Sequence, residues 1–198
     1  MVAALKVYVD FGGSDGSPGT STDTTALGPP NIRLKTADDA TIDAVNPVPR
    51  PASSVNRSFW KNCYIKVATA PNTQVDTFGI YTDGGDFGTG INTYIADQYP
   101  TRNHSATTGY IKAVGTVGTT SNSMVGSYTG ISSKTLLFSY TSGSPLSPSN
   151  VNFISESGNI LVNIGDTTNY FVLQVEVGTT ASPGNQGDET ITITYNEI

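Results

Sequence analysis

The sequence predicts an all-β chain, folded as an antiparallel β-sandwich of jelly-roll type with about ten short strands and long Gly/Pro/Ser loops. Apolar residues recur at every second position through much of the chain, whereas the 3.6-residue period of an amphipathic helix is nowhere sustained. The runs so defined are short, and clusters of Gly, Pro, Asn and Ser cut them at the spacing of sandwich and barrel strands. A chain of 198 residues can bury a core as one domain without disulfides or metal, and no internal repeat or composition shift divides it.

Leu5, Val7, Val9 and Phe11 share one face of a first strand, with Lys6, Tyr8 and Asp10 on the other. Residues 12–30 form a long acidic loop rich in Gly, Ser, Thr and Pro. Asn31–Lys35 reads as a strand, and Ala37–Val45 is the one stretch that admits a helical turn or two. Pro47, Pro49 and Pro51 make residues 46–55 a second long loop, an extended connector laid over a surface, its own domain's or a neighbour's. Strands are then expected at Ser58–Thr69, Gln74–Thr82, Asn92–Ala96, Gly109–Val114, Thr135–Thr141, Val151–Ser155 and Ile160–Ile164. Phe171, Leu173, Val175 and Val177 alternate with Val172, Gln174 and Glu176. After the loop from Gly178 to Gly187, with Pro183-Gly184-Asn185 at its centre, Ile191, Ile193 and Tyr195 alternate with Thr192, Thr194 and Asn196.

Only 13% of the chain is charged, and Thr, Ser, Gly and Asn fill the difference, which suits durable packing between subunits. A formal net charge of -6 with scattered basic residues argues against a nucleic-acid partner. The densest basic group is Arg50, Arg57, Lys61 and Lys66. No run approaches the roughly 20 apolar residues of a membrane span, and Met1 to Lys6 shows neither a basic nor a long apolar leader. A protein made in the host cytoplasm and released by lysis, as virus structural proteins are, fits both the composition and this N-terminus.

Residues that carry chemistry are few. Cys63, the single cysteine, lies in an alternating apolar run and reads as a small buried hydrophobe. His104 is the only histidine, so any nucleophile triad would have to use it, and its polar surroundings read as an exposed loop without a supporting signature. Asp38 with Asp39, and Asp83 with Asp86, are the carboxylate pairs a glycosidase would draw on. Asp10, Asp15, Asp83 and Asp86, on or beside Gly-rich loops, are the weak candidates for Ca²⁺, although neither loop has EF-hand spacing and Asp-Gly is an ordinary turn. Gly84, Gly85, Gly88 and Gly90 lack the following helix that makes a phosphate loop. The sequons at Asn56 and Asn103 matter only for a secreted eukaryotic chain. Ten tyrosines, among them Tyr94, Tyr99 and Tyr110 beside turns, supply amphipathic contact points of the kind interfaces use. These readings assign no catalytic or cofactor residue and predict a protein that is not an enzyme.

The closing segment Asp188 to Ile198, and the run from Ser58-Phe59-Trp60-Lys61-Asn62 to Thr82-Asp83-Gly84, resemble β-sandwich structural proteins of tailed bacterial and archaeal viruses, head decoration proteins above all. The resemblance implies a capsid decoration or cement role in the virion, in many symmetric copies, with the major capsid protein and further copies of the chain as partners. It transfers no functional residue. In that role the chain ends and the Pro-rich connector would be the arms that reach neighbours, and an edge strand would join a partner's sheet. The alternative is a carbohydrate- or receptor-binding sandwich, tail-associated or extracellular, which requires an exposed aromatic platform and is weakened if Trp60 is buried.

Overall fold

The computed structural model describes residues 2–24, 32–96, 104, 109–147, 160–184 and 186–198. The expected strand Val151–Ser155, Tyr99 and the sequon asparagine Asn103 lie outside these residues, as do parts of the 12–30 loop.

The chain is all-β and antiparallel. A large sheet runs in the order β2 (Thr20–Asp23), β1 (Ala4–Phe11), β4 (Lys61–Thr69), β10 (Phe171–Gly178), β6 (Ile91–Ala96), β9 (Thr135–Leu136), with β3 (Val55–Arg57) also paired to β10. A ribbon of two strands, β5 (Val75–Tyr81) and β11 (Thr192–Glu197), forms a second sheet, and β7 (Gly115–Thr116) with β8 (Thr120–Ser121) makes a small hairpin.

Register sorts the side chains of the large sheet. Val7 opposes Ile65, Val9 opposes Cys63, Cys63 opposes Phe171 and Leu173 opposes Ile95, so these residues share one face. They pack with Val75, Phe78, Ile80, Leu137, Leu146 and Leu161 into the main core. The opposite face carries Tyr8, Asp10, Tyr64, Val172 and Gln174. It is covered by the irregular segment 109–134, where Phe59, Trp60, Ala96, Ala113, Met124, Ile131 and Val172 form a second cluster. The central strands are therefore buried on both faces, which explains why β10 shows an almost unbroken buried pattern under an alternating sequence.

Several expectations are corrected. Residues 37–45 form bends rather than a helix: Thr36 donates from N and Oγ1 to Asn46 O, and Lys35 binds Asp39 and Asp43, so tertiary anchors replace the helical ladder. Residues 32–35 lie outside any strand, as does the stretch 109–114, whose backbone is divided between side chains and single backbone groups of other segments. There Ile111 O accepts from Trp60 Nε1 and Asn62 Nδ2, and Lys112 N donates to Asp15 Oδ1. Thr135–Thr141 shortens to β9 and a 3₁₀ turn over Leu137–Ser139, and Ile160–Ile164 to a single bridge between Leu161 and Val75. Conversely, the 12–30 loop contains β2, and the 46–55 connector runs into β3. The chain ends are not free arms, since β1 lies inside the large sheet and β11 forms half of the ribbon. The connector covers its own domain, with Val48 packed beside Ile91, Val175 and Val177.

Candidate functional site

The densest gathering of polar and aromatic groups lies on the outer face of β1, β4 and β10. Alternation places Tyr8 and Asp10 on that face of β1, and antiparallel register sets Tyr64 opposite Tyr8 and Asn62 opposite Asp10. Tyr170, just before β10, brings its hydroxyl to Asp10 Oδ2 as a hydrogen-bond donor. Tyr110 closes the cluster by donating to Gly12 O at 2.8 Å.

His104 enters this cluster and is not the exposed loop residue the sequence predicts. Its ring lies 3.8 Å from that of Tyr64 and meets Tyr170 edge-on, with centroids 5.2 Å apart. Its Nδ1 is 3.1 Å from Thr167 Oγ1, and its Nε2 is 3.8 Å from Asp10 Oδ2. Thr167, His104 and Asp10 thus follow the order of a hydroxyl–imidazole–carboxylate triad. The 3.8 Å gap is too long for the hydrogen bond that would orient the ring, and Tyr170 occupies the carboxylate oxygen instead. Burial holds the imidazole below its ordinary value of 6.5, against the pull of Asp10, so the ring is neutral near pH 7. Burial together with the Asp10 carboxylate drives the Tyr170 phenol far above 10, and burial pushes Tyr64 up to about 12. Tyr64 and Tyr170 therefore stay protonated at neutral pH, and the aromatic cluster is a clamp on a buried carboxylate, hydrogen-bonded to it through Tyr170.

The Ca²⁺ candidates do not converge. Asp10 is buried in the clamp, while Asp15 accepts from Lys112 N and from Tyr128 Oη at 2.9 Å each. Asp83 and Asp86 each cap their own turn, accepting from Gly85 N and Gly88 N. They lie close enough to Glu189 to raise its carboxyl, after burial, yet no group of three His, Cys, Asp or Glu residues arranged for a metal occurs among the described residues.

The carboxylates at 38 and 39 are half-buried and bonded within the chain. Asp38 Oδ2 accepts from Gly12 N, and Asp39 binds Lys35 at 2.8 Å. Lys61, fully buried, donates to Ala37 O and Asp39 O, and burial lowers its pKa. Arg57 pairs with Glu176, Lys66 sits over the Tyr8 ring and Lys61 is buried, so of the densest basic group of the sequence only Arg50 is exposed. Asn56 uses its amide on Pro49 O. Cys63 is completely buried and its thiol is pushed up to about 12, matching the expectation of a small core hydrophobe. Tyr110 is buried and Tyr94 half-buried beneath Lys134 Nζ. Trp60 is 1% exposed and donates its Nε1 proton to Ile111 O, which removes it as a sugar-stacking platform.

The outer edge of β11 offers a different kind of site. Among the described residues this strand pairs with β5 alone, and its Thr194 and Asn196 are exposed. The edge strands of the large sheet are shorter, four residues in β2 and two in β9. No protein-family model, curated protein or solved structure matches the chain.

Proposed function

We propose that this chain is a non-enzymatic structural protein of a virus particle, a capsid decoration or cement subunit that binds the major capsid protein and further copies of itself. The observation that carries the reading is the six-residue β11, paired on one side only among the described residues and exposing Thr194 and Asn196. An unpaired edge presents a row of backbone donors and acceptors that a neighbour's strand completes. A hydroxyl-rich surface of low charge density, with the main ionic groups committed to internal pairs, supports the same role. The buried Trp60 speaks against the carbohydrate-binding alternative.

Quantitative mass spectrometry of gradient-purified particles from the source culture tests this. The expected result is a copy number near that of the major capsid protein, or a simple fraction of it. Absence from particles overturns the reading, and a few copies per particle moves it to the tail. An Asn196→Lys variant, which puts a charge at an exposed position of this edge strand, is expected to stay folded and to lose particle binding.

A further inference from the structure

Aspartate is followed by glycine twice in the chain, at Asp15-Gly16 and Asp83-Gly84. Both aspartates are exposed, and a glycine that follows has no Cβ to shield its backbone nitrogen. Such a pair can close a succinimide ring, in which that nitrogen attacks the aspartate Cγ. The fold treats the two pairs differently.

At Asp15 both reacting groups are held by other segments. Oδ1 accepts from Lys112 N and Oδ2 from Tyr128 Oη, each at 2.9 Å, so the carboxylate is drawn towards residues remote in sequence. Gly16 N donates to Tyr110 O at 2.8 Å. Ser14 and Ser17 exchange backbone hydrogen bonds of 3.0 and 2.9 Å across the pair, which closes the turn around it.

At Asp83 every restraint is local. Asp83 Oδ1 accepts from Gly85 N at 2.9 Å, an arrangement that folds the carboxyl forward over the Gly84 peptide. Gly84 N donates to Thr82 Oγ1 at 3.1 Å, and Gly88 N to Asp86 Oδ1 at 2.9 Å. Among the described residues no hydrogen bond ties residues 83–86 to another segment. A Cβ on Gly84 would meet Thr141 Cγ2 alone, and one on Gly85 only the Asp83 side chain. A segment with so few outside contacts opens at little cost. Thr82, by contrast, is buried and donates from N and Oγ1 to Tyr140 O, so it pins the end of β5 and confines any change to the loop.

We propose that Asp83 is a site of spontaneous isomerisation to isoaspartate. Gly84 N attacks Cγ of the protonated Asp83 carboxyl; the N–Cγ bond forms, and the amide proton and a carboxyl hydroxyl leave together as water. The succinimide then takes up one water at either carbonyl. Opening at Cγ restores aspartate, whereas opening at the main-chain carbonyl leaves Gly84 joined through Cγ, with a free α-carboxylate. The net change is an isomerisation that needs only water, and it moves the carboxylate that Gly85 N uses. It is independent of the particle role proposed above.

The test incubates the folded full chain at mildly acidic pH. The probe is an isoaspartate-specific carboxyl methyltransferase with methyl-labelled S-adenosylmethionine, and peptide fragmentation locates the label. Label is expected to accumulate with time at Asp83, severalfold above Asp15. Asp83→Glu, which would have to close a larger and slower imide ring, is expected to lose it. In the urea-unfolded chain both positions are expected to take label, because the bonds that hold Asp15 and Gly16 are gone. No label at Asp83 in the folded chain, equal label at the two positions, or an Asp15 that stays silent when unfolded would each overturn the proposal.

Discussion

The Tyr170 hydroxyl donates a hydrogen bond to Asp10 Oδ2, joining the first strand to the entrance of the tenth across 160 positions of sequence. Asp10 is 2% exposed, and its other oxygen, Oδ1, is buried without a partner. This single phenol therefore carries much of the stabilisation of a buried carboxylate. Tyr170→Phe is expected to cost about 2–3 kcal/mol, the range for a hydrogen bond to a charged group whose loss leaves that group unsatisfied. A urea unfolding midpoint that does not move would contradict this account. Asp10→Asn keeps an acceptor and is expected to cost less.

His104 gives the fold a pH dependence of predictable sign. Burial lowers its pKa below the ordinary 6.5, with Asp10 opposing and Lys66 assisting. Between the lowered folded value and 6.5 the unfolded chain binds more protons, so stability is complete above 6.5 and falls as the pH drops below it. Thermal melts of wild type and His104→Phe across pH 5–8 are expected to diverge below 6.5, the variant being flatter. Parallel curves would show that the ring does not titrate differently on unfolding.

Gln174 pins the irregular segment to the outer face of the sheet. Its Oε1 accepts from Met124 N at 2.9 Å, and its Nε2 donates to Ser58 O and Asn122 O at 2.8 and 2.9 Å. Gln174→Leu conserves bulk but strands one donor and two acceptors, for an expected loss of about 3 kcal/mol. Hydrogen exchange is expected to rise first in residues 121–131. Uniform exchange would place the effect elsewhere.

Gly90 occupies a position that excludes a side chain. Its φ is +78°, and a Cβ there would lie 2.5 Å from Thr180 Oγ1 and 2.6 Å from the Ala181 backbone nitrogen. Gly90→Ala combines left-handed strain with a backbone collision and is expected to cost more than about 2 kcal/mol. Gly88 also has a positive φ but open space around it, so Gly88→Ala is expected to cost about 1 kcal/mol from conformation alone. Equal losses at the two positions, read by chemical denaturation, would refute the steric argument.

The sequence by itself determined the class of fold and the positions of β1, β4, β5, β6, β10 and β11. In these segments period-2 alternation and β-branched residues act locally, and burial of one face rewards the local preference. It also held half of the clamp, since Tyr8 and Asp10 share a face by alternation alone. Only the tertiary structure decided the rest. Gly109–Val114 alternates like a strand, but its backbone partners are a scatter of side chains and single backbone groups from different segments, so no ladder forms. β2 and β3 have little apolar pattern and exist because β1 and β10 offer them edges. His104 reaches Asp10 and Tyr170 through chain crossings that no spacing encodes. The cavity lined by Ile91, Val175 and Ile193 likewise follows from a two-stranded sheet facing a wider one, a mismatch between layers that lies in strand pairing and not in any segment.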